Sequence, residues 1–310
     1  MKVFSMDDPI DLGRSPVGLA MGTFDGVHLG HRRLLRVLVE RARCDGFQAG
    51  VLIPDPHPRS VVSPKNAPSL LTPLSVRTRL IAEMGVDWIA ILPFDDRWTG
   101  VSPRDFTLRA VVGFFRAQVV FAGFNFTFGH RAAGTSQDLG SYGQELGFEV
   151  RVLDPVVIGD RPVSSSRIRS LLSGGDLDGC RELLGRPFHL EGVVVPGDGR
   201  GRALGFPTAN LEMDPDQALP ARGVYAVVAR TAGQEAKAVA NVGQRPTFGG
   251  GGGDRVEVHL LDYSGDLYGE NMEVHFFQRL RGERPFVSPD GLTRQVRRDI
   301  ETVRRYSLCL

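Results

Sequence analysis

Cysteine is scarce in this 310-residue chain: Cys44, Cys180 and Cys309 are odd in number and scattered. They offer neither a disulfide framework nor the paired spacing of a metal knuckle, and a reducing cytosol is the expected setting. Lysine is equally scarce, with only Lys2, Lys65 and Lys237, and none sits in a glycine loop of the Walker type. Long apolar runs are missing too. The opening MKVFSMDDPIDLGRSP has no apolar leader core, no later segment reaches membrane-spanning length, and Cys309 lies too near the end for a prenylation box. The expectation is a protein that is neither secreted nor anchored. Excess charge is also absent: a formal net charge of +1 gives no whole-molecule attraction for nucleic acid or an anionic membrane, so any bound anion must be held locally. No internal repeat is present.

What remains is the composition of a soluble globular protein, 42% hydrophobic and 24% charged, at a length that favours two domains over one. In the first half, VGLAM (17–21), FQAGVLI (47–53), WIAILPF (88–94), AQVVFAGF (117–124) and FEVRVLDPVV (148–157) are strand candidates. Several are continuously apolar, as parallel strands covered on both faces tend to be. Between the first two, Leu34, Leu35, Leu38, Val39 and Ala42 follow helical spacing while Arg32, Arg33, Arg36 and Arg43 take other positions, which predicts an amphipathic crossover helix. This rhythm predicts an α/β domain: an open parallel sheet with helices on both faces.

Beyond residue 185 the rhythm changes. EGVVV (191–195), VYAVVAR (224–230), AKAVANV (236–242), VEVHLL (256–261) and MEVHFF (272–277) are short and separated by turn residues, which predicts an antiparallel barrel or sandwich. Leu292, Val296, Ile300 and Val303 then form one helical stripe, expected to pack across it. The domain boundary is expected near LLGRPFHL, giving domains 1–185 and 186–310, with GGGGG (249–253) as a loop tip inside the second.

Chemistry concentrates in a few segments. GTFDGVHLGH, Gly22 to His31, is a glycine-rich turn between strand and helix, where exposed backbone N–H groups and the helix dipole favour a phosphate. His28 and His31 in that turn would donate hydrogen bonds to a polyphosphate; their spacing also suits two metal ligands, and loop histidines are commonly just solvated. DPHPRS (55–60), with Asp55 and His57, and AGFNFTFGHRAAGT (122–135), with Asn125, follow strands and fall at the same carboxyl edge. GDRPVSSSRIRSLLSGGD (159–176) sets Ser164, Ser165, Ser166, Arg167 and Arg169 at a helix start, either an anion grip or a well-capped surface helix. In the second half, PGDGRGRALGFPTANL (196–211) has glycines at 197, 199, 201 and 205 that let backbone wrap a phosphate, or form a plain glycine-rich turn. Thr208 and Asn210 after Pro207 are hard oxygen donors two residues apart, suited to Mg²⁺. Glu257 alternates with Val256 and Val258 and therefore leaves its strand on the face opposite theirs; a solvated strand glutamate is the ordinary reading.

In this order, FDGVHLGH, DPHP, GFNFTFG, SSSRIR, GFPTAN, NVGQRPTF (241–248) and VEVHLLDYSGDLYGE (256–270) resemble the prokaryotic bifunctional riboflavin kinase/FMN adenylyltransferase family, the FAD synthetases, over roughly Val17 to Arg305. The resemblance implies an N-terminal Rossmann-like nucleotidyltransferase domain that adenylylates FMN to FAD with release of pyrophosphate. It further implies a C-terminal six-stranded antiparallel barrel with a terminal helix that phosphorylates riboflavin. By position, His28 and His31 contact the ATP phosphates, Gly22, Phe24, Asp25 and Gly30 shape the nucleotide cradle, and Asn125 orients the substrate phosphate. Asp55 and His57 join the same ATP/FMN site, while Ser164, Ser165, Ser166 and Arg169 hold the triphosphate with Arg161 close by. Gly197, Gly199, Gly201, Gly205 and Pro207 belong to the kinase nucleotide site, Thr208 and Asn210 bind Mg²⁺–ATP, and Glu257 is the general base on the riboflavin 5′-hydroxyl. ATP is the co-substrate, riboflavin, FMN and FAD are substrates and products, flavin-requiring apoproteins are recipients, and the setting is cytoplasmic, without nucleic acid or membrane.

Two departures from the family pattern stand out. Ser166 replaces the usual threonine, keeping the hydroxyl without its methyl, and Ile53-Pro54 replaces Thr-Phe before the DPHP loop, removing a hydroxyl, a ring and a backbone donor. They keep one alternative open, a paralogue with an analogue substrate or weakened adenylyl transfer; a separate alternative is a non-catalytic flavin-binding or regulatory module, against which the intact Glu257, Thr208, Asn210, His28 and His31 argue.

Overall fold

The computed structural model describes residues 1–13, 15–199, 201, 204–231, 233–244 and 254–308. They pack as two compact units, Met1–Ser165 and Ser166–Leu310. The glycine run 249–253 and residues 245–248 of NVGQRPTF lie outside the described residues.

The first unit is built on strands β1 (Lys2–Ser5), β2 (Val17–Met21), β3 (Gln48–Asp55), β4 (Trp88–Pro93), β5 (Ala117–Gly123) and β6 (Glu149–Leu153), in the order β1-β4-β3-β2-β5-β6. Every pairing is parallel. Alternate residues feed separate cores on the two faces: Leu19, Met21 and Leu52 pack with Trp88, Phe106 and Phe115, whereas Ala20, Val51 and Ile53 pack with Leu35, Leu38 and Phe121. Helix α1 (Leu29–Asp45) buries Leu34, Leu35, Leu38, Val39 and Ala42, the five positions its spacing predicts, and ends at Gly46 in the left-handed region (φ 77°). Strand order reverses at β2, from which β3 and β4 run one way and β5 and β6 the other. The loops after β2 and β5 therefore flank a crevice at the carboxyl edge, where open α/β sheets bind ligands. The short edge strand β1 was not anticipated, because only Phe4 of its four residues is buried.

The second unit contains a closed barrel of β7 (Phe188–Val195), β8 (Ala209–Glu212), β9 (Gly223–Thr231), β10 (Gln234–Gln244), β11 (Asp254–Leu260) and β12 (Asn271–Arg281), ordered β7-β8-β11-β10-β9-β12. All pairings are antiparallel, and β7 closes the ring by pairing with both β8 and β12. That settles the barrel-or-sandwich alternative and supplies β8, a four-residue strand that begins in the GFPTANL run and ends one residue past it. Helices α2 (Leu74–Ala82) and α3 (Ser136–Leu146) belong to the sheet unit. Helix α4 (Ser165–Gly174) and helix α5 (Leu177–Leu184) count by packing almost wholly with the barrel, α5 lying against β7 and β12, so the compact units divide some twenty residues before the boundary expected at 185/186.

The terminal helix α6 (Pro289–Arg305) starts on Ser288, whose hydroxyl accepts from Gly291 N at 3.3 Å. Only the end of its apolar stripe is closely covered. Val303 is buried and joins Ile300 against Val224, Ala226 and Val239, whereas Leu292 and Val296 stay half-exposed. Asp299 on the same helix is buried and accepts from Arg281 Nη2 (2.8 Å) and Nε (3.0 Å). Lys237 of β10 donates to the helix-end carbonyls of Arg304 (3.2 Å) and Tyr306 (2.6 Å), satisfying acceptors that a helix end leaves open.

Candidate active sites

In the first unit the turn after β2 is held in a conformation that ordinary side chains avoid. Phe24 (φ 49°) and Val27 (φ 40°) both stand in the left-handed region around Gly26 (φ 82°), and such strain in a β-branched residue persists only where its surroundings enforce it. Asp25 is the anchor. Buried to 1% exposure, its carboxylate accepts from Leu71 N (3.1 Å), Thr72 N (3.0 Å) and Thr72 Oγ1 (3.3 Å), while Gly26 N donates to Thr72 Oγ1 at 2.9 Å. Ser165 Oγ donates to the Asp25 carbonyl at 2.9 Å, so one serine of the SSSRIR segment is tied to the turn. Gly22 N donates to Leu52 O at 3.2 Å and joins the turn to β3.

The turn presents a pair of stacked imidazoles. His28 caps α1, its Nδ1 accepting from His31 N at 3.3 Å, and the two rings stack with centroids 3.7 Å apart. With Nδ1 as acceptor, a neutral His28 carries its proton on Nε2. Gly30 leaves room beside it: a Cβ there would stand 3.1 Å from His28 Cε1, closer than ordinary van der Waals contact. Phe24 meets His31 edge-on at 5.2 Å. Burial, reinforced by neighbouring His28 and Arg77, pushes the His31 imidazole well below the usual 6.5, so it stays neutral at pH 7. His31 Nδ1 is buried without a hydrogen-bond partner. Arg77 on α2 was missed in the sequence. Fully buried, it donates from Nη1 to Thr23 O (3.0 Å) and from Nη2 to Thr72 O (3.1 Å), placing a fixed positive charge behind the turn.

Asn125 is exposed just past β5, on the other lip of the crevice. His57 caps the short helix Pro58–Val62, its Nδ1 accepting from Arg59 N at 3.1 Å, directly after Asp55 at the end of β3. Arg161 is exposed on a small hairpin (157–158 with 161–162), and Ser164 precedes α4. Ser166, Arg167 and Arg169 lie on α4 and pack with the second unit.

In the second unit, Val256 and Val258 are fully buried while Glu257 faces outward, as the alternation requires. Glu257 stands in register with Asn210 on β8 and with Asn241 on β10, forming a polar row across three strands. The glycine segment comes down on this row: a Cβ at Gly197 would collide with the Asn210 amide, and one at Gly201 with the Phe206 carbonyl and, at 3.1 Å, Thr208 Oγ1. Gly199 and Gly205 take positive φ (70° and 84°). His259 Nδ1 lies 2.7 Å from the Pro207 carbonyl, pinning the start of β8. Arg255 completes the cluster, with Nε donating to Asn210 Oδ1 at 2.7 Å and Nη2 lying 2.8 Å from Glu257 Oε1. Neither Asn241 nor Arg255 was foreseen, although both occupy the outward face that the alternation around Glu257 defines.

A hard cation fits this donor set. Among the described residues there is no group of three or more His, Cys, Asp or Glu side chains that could hold a metal. Thr208 and Asn210 would supply two neutral oxygens, with phosphate and water completing an octahedral shell around Mg²⁺.

A doubly wound parallel sheet with a strained glycine-rich turn at its carboxyl edge, in one chain with a closed barrel bearing a carboxylate beside a glycine-covered amide, is the architecture of an ATP-using transferase. The family model for FAD synthetase matches residues 13–167 and that for riboflavin kinase residues 184–307. The chain belongs to the bifunctional riboflavin kinase/FMN adenylyltransferase family. It is 35% identical to the protein of that name from Listeria monocytogenes over 93% of this chain and 91% of the relative. It is 37% identical to the one from Escherichia coli K12, over 93% and 92% respectively. A crystal structure described as a macrolide-efflux protein from Streptococcus pneumoniae superposes with a TM-score of 0.85 at 33% identity, covering 96% of this chain and 97% of that one. Among the described residues of this chain, no helix is long and apolar enough to cross a membrane.

Proposed function

We infer that the chain makes FMN in its barrel unit and FAD on its parallel sheet, with the residues assembled above in the corresponding roles. It is a bifunctional enzyme of FAD biosynthesis, a riboflavin kinase and an FMN adenylyltransferase using ATP. The observation that carries the assignment of roles is the coexistence of two built sites: the imidazole pair at the strained turn and the Asn210–Glu257–Asn241 row under the glycine segment.

On the sheet, the FMN phosphate attacks the ATP α-phosphorus directly and pyrophosphate leaves. Positioning and charge stabilisation are then the protein's contribution. His28 Nε2–H and the α1 N-terminus face the developing negative charge, Arg77 adds a fixed field, and Asn125 on the opposite lip orients the incoming phosphate. Ser164, Ser165, Ser166, Arg161 and Arg169 are assigned to the triphosphate, and Asp55 and His57 to the same pocket. In the barrel, Glu257 takes the proton from the riboflavin 5′-hydroxyl as it attacks the γ-phosphorus. Thr208 and Asn210 would hold Mg²⁺, which when bound neutralises charge on the transferring phosphates. Gly197, Gly199, Gly201, Gly205 and Pro207 let backbone follow the nucleotide. A cytoplasmic setting and delivery of FAD to flavin-requiring apoproteins belong to the same reading.

The test is a time course with purified protein, riboflavin, ATP and Mg²⁺, products separated by chromatography. FMN should rise first and FAD follow; FMN alone would mean weakened adenylyl transfer, consistent with Ile53-Pro54 and Ser166, and neither product would overturn the reading.

A further inference from the structure

The Arg255 guanidinium joins oxygens from three separate segments. Nε donates to Asn210 Oδ1 at 2.7 Å, and Nη2 donates to that same oxygen. Nη2 also lies 2.8 Å from Glu257 Oε1, and Nη1 lies 3.2 Å from Asp198 Oδ2. Asn210 comes from β8, Glu257 from β11 and Asp198 from the glycine segment, so one side chain, 20% exposed, is the hub of the kinase cluster. A carboxamide oxygen has two acceptor lone pairs, and Arg255 takes both. A divalent cation on Oδ1 would stand about 2 Å from it, bringing like charges into contact range of the guanidinium. The two cannot share that oxygen.

Arg255 has somewhere else to go. Its in-register neighbour on β10 is Gly243, which has no side chain to obstruct it, and the Glu283 carboxylate lies over Gly243, where a Cβ would stand. An anion is thus available on the far side of Arg255 from Asn210.

We propose that Arg255 and the nucleotide-bound divalent cation are alternative occupants of the Asn210–Glu257–Asp198 hub. Arg255 is a positioning residue: it aligns the amide and the base, then yields Asn210 as the cation arrives. The proposal rests on the reading of this cluster as the kinase site. It requires cation binding to work against Arg255, so weakening the guanidinium's hold should make the cation bind more readily.

The full-length chain is titrated with ADP by calorimetry at a series of Mn²⁺ concentrations, and the Mg²⁺ dependence of riboflavin phosphorylation is measured in parallel. Arg255→Gln should lower the half-saturating Mn²⁺ and Mg²⁺ concentrations about tenfold, the scale of losing a charge-assisted hydrogen bond. Arg255→Lys, which keeps the charge but cannot fork onto two acceptors, should fall between and serves if the glutamine variant does not fold. Asn210→Ala should raise both concentrations. Nucleotide binding at the sheet site is common to all variants and cancels in the comparison. If Asn210→Ala weakens cation binding but neither Arg255 variant strengthens it, the proposal is overturned and the kinase site stands; if Asn210→Ala leaves cation binding unchanged, the site reading fails with it.

Discussion

His31 illustrates how little a residue's identity says about its chemistry until its neighbours are known. A histidine in a glycine-rich turn is read from sequence as a donor to phosphate, yet here it is neutral, stacked on His28 and held below 6.5 by burial, His28 and Arg77. A triphosphate beside it works against that balance, because an adjacent anion favours the imidazolium. ATP binding should therefore be accompanied by proton uptake at His31 that grows as pH falls. Calorimetry in buffers of different ionisation enthalpy checks this, with His31→Gln expected to lose the uptake; identical uptake in the variant would remove His31 from the phosphate site. Gly30→Ala tests the companion residue. Its Cβ would press on His28 at 3.1 Å. FAD formation from supplied FMN should fall roughly tenfold to a hundredfold, the usual scale for a displaced catalytic group, with the far-UV circular dichroism spectrum unchanged.

Elements were legible in proportion to how far their stability is local. The α1 stripe carries its own periodicity and the strands β2 to β5 their own apolar runs, and the structure forms a helix and buried strands there. Strands β1 and β8 do not: each has four residues and exists because neighbouring strands supply its hydrogen bonds. The α6 stripe was visible, but not that only its end would be closely covered, nor that the lone lysine of β10 would cap it. Lys237→Met should therefore cost roughly 1–2 kcal/mol in chemical denaturation of the barrel, the scale of a charged hydrogen-bond donor to backbone. A second element-level effect follows from β7 and β12, where His189 and His275 stack at 4.9 Å, and burial, with His189 and Arg230 nearby, pushes His275 down to about 4 despite Glu273. The unfolded chain accepts that proton near 6.5 while the folded chain refuses it until about 4, so its stability contribution is complete above 6.5 and declines as pH falls across that window. The thermal midpoint should drop from pH 7 to pH 5, and His275→Gln should flatten the slope.

At the scale of the whole molecule, two compact units carry separate hydrophobic clusters, and the His28–His31 pair follows a strand of the parallel sheet while the Asn210–Glu257–Asn241 row stands on strands of the barrel. Motif order made that division legible, because His28, His31 and Glu257 fall in segments whose spacing survives without knowledge of the fold. Arg77 and Arg255 were illegible, since an arginine becomes a fixed charge or a hub only through carbonyls and carboxylates brought from elsewhere in the chain. If the units work as their sites are built, damage to one chemistry leaves the other standing. Glu257→Gln should reduce FMN formation from riboflavin by about 10²- to 10⁴-fold, the range for loss of a general base, while FAD formation from supplied FMN continues. His28→Ala should do the reverse, lowering FAD formation roughly 10²-fold, as loss of one donor to developing charge does, so that FMN accumulates from riboflavin. Both variants are assayed with each flavin in turn; equal loss of both activities from either substitution would show that the two chemistries share machinery.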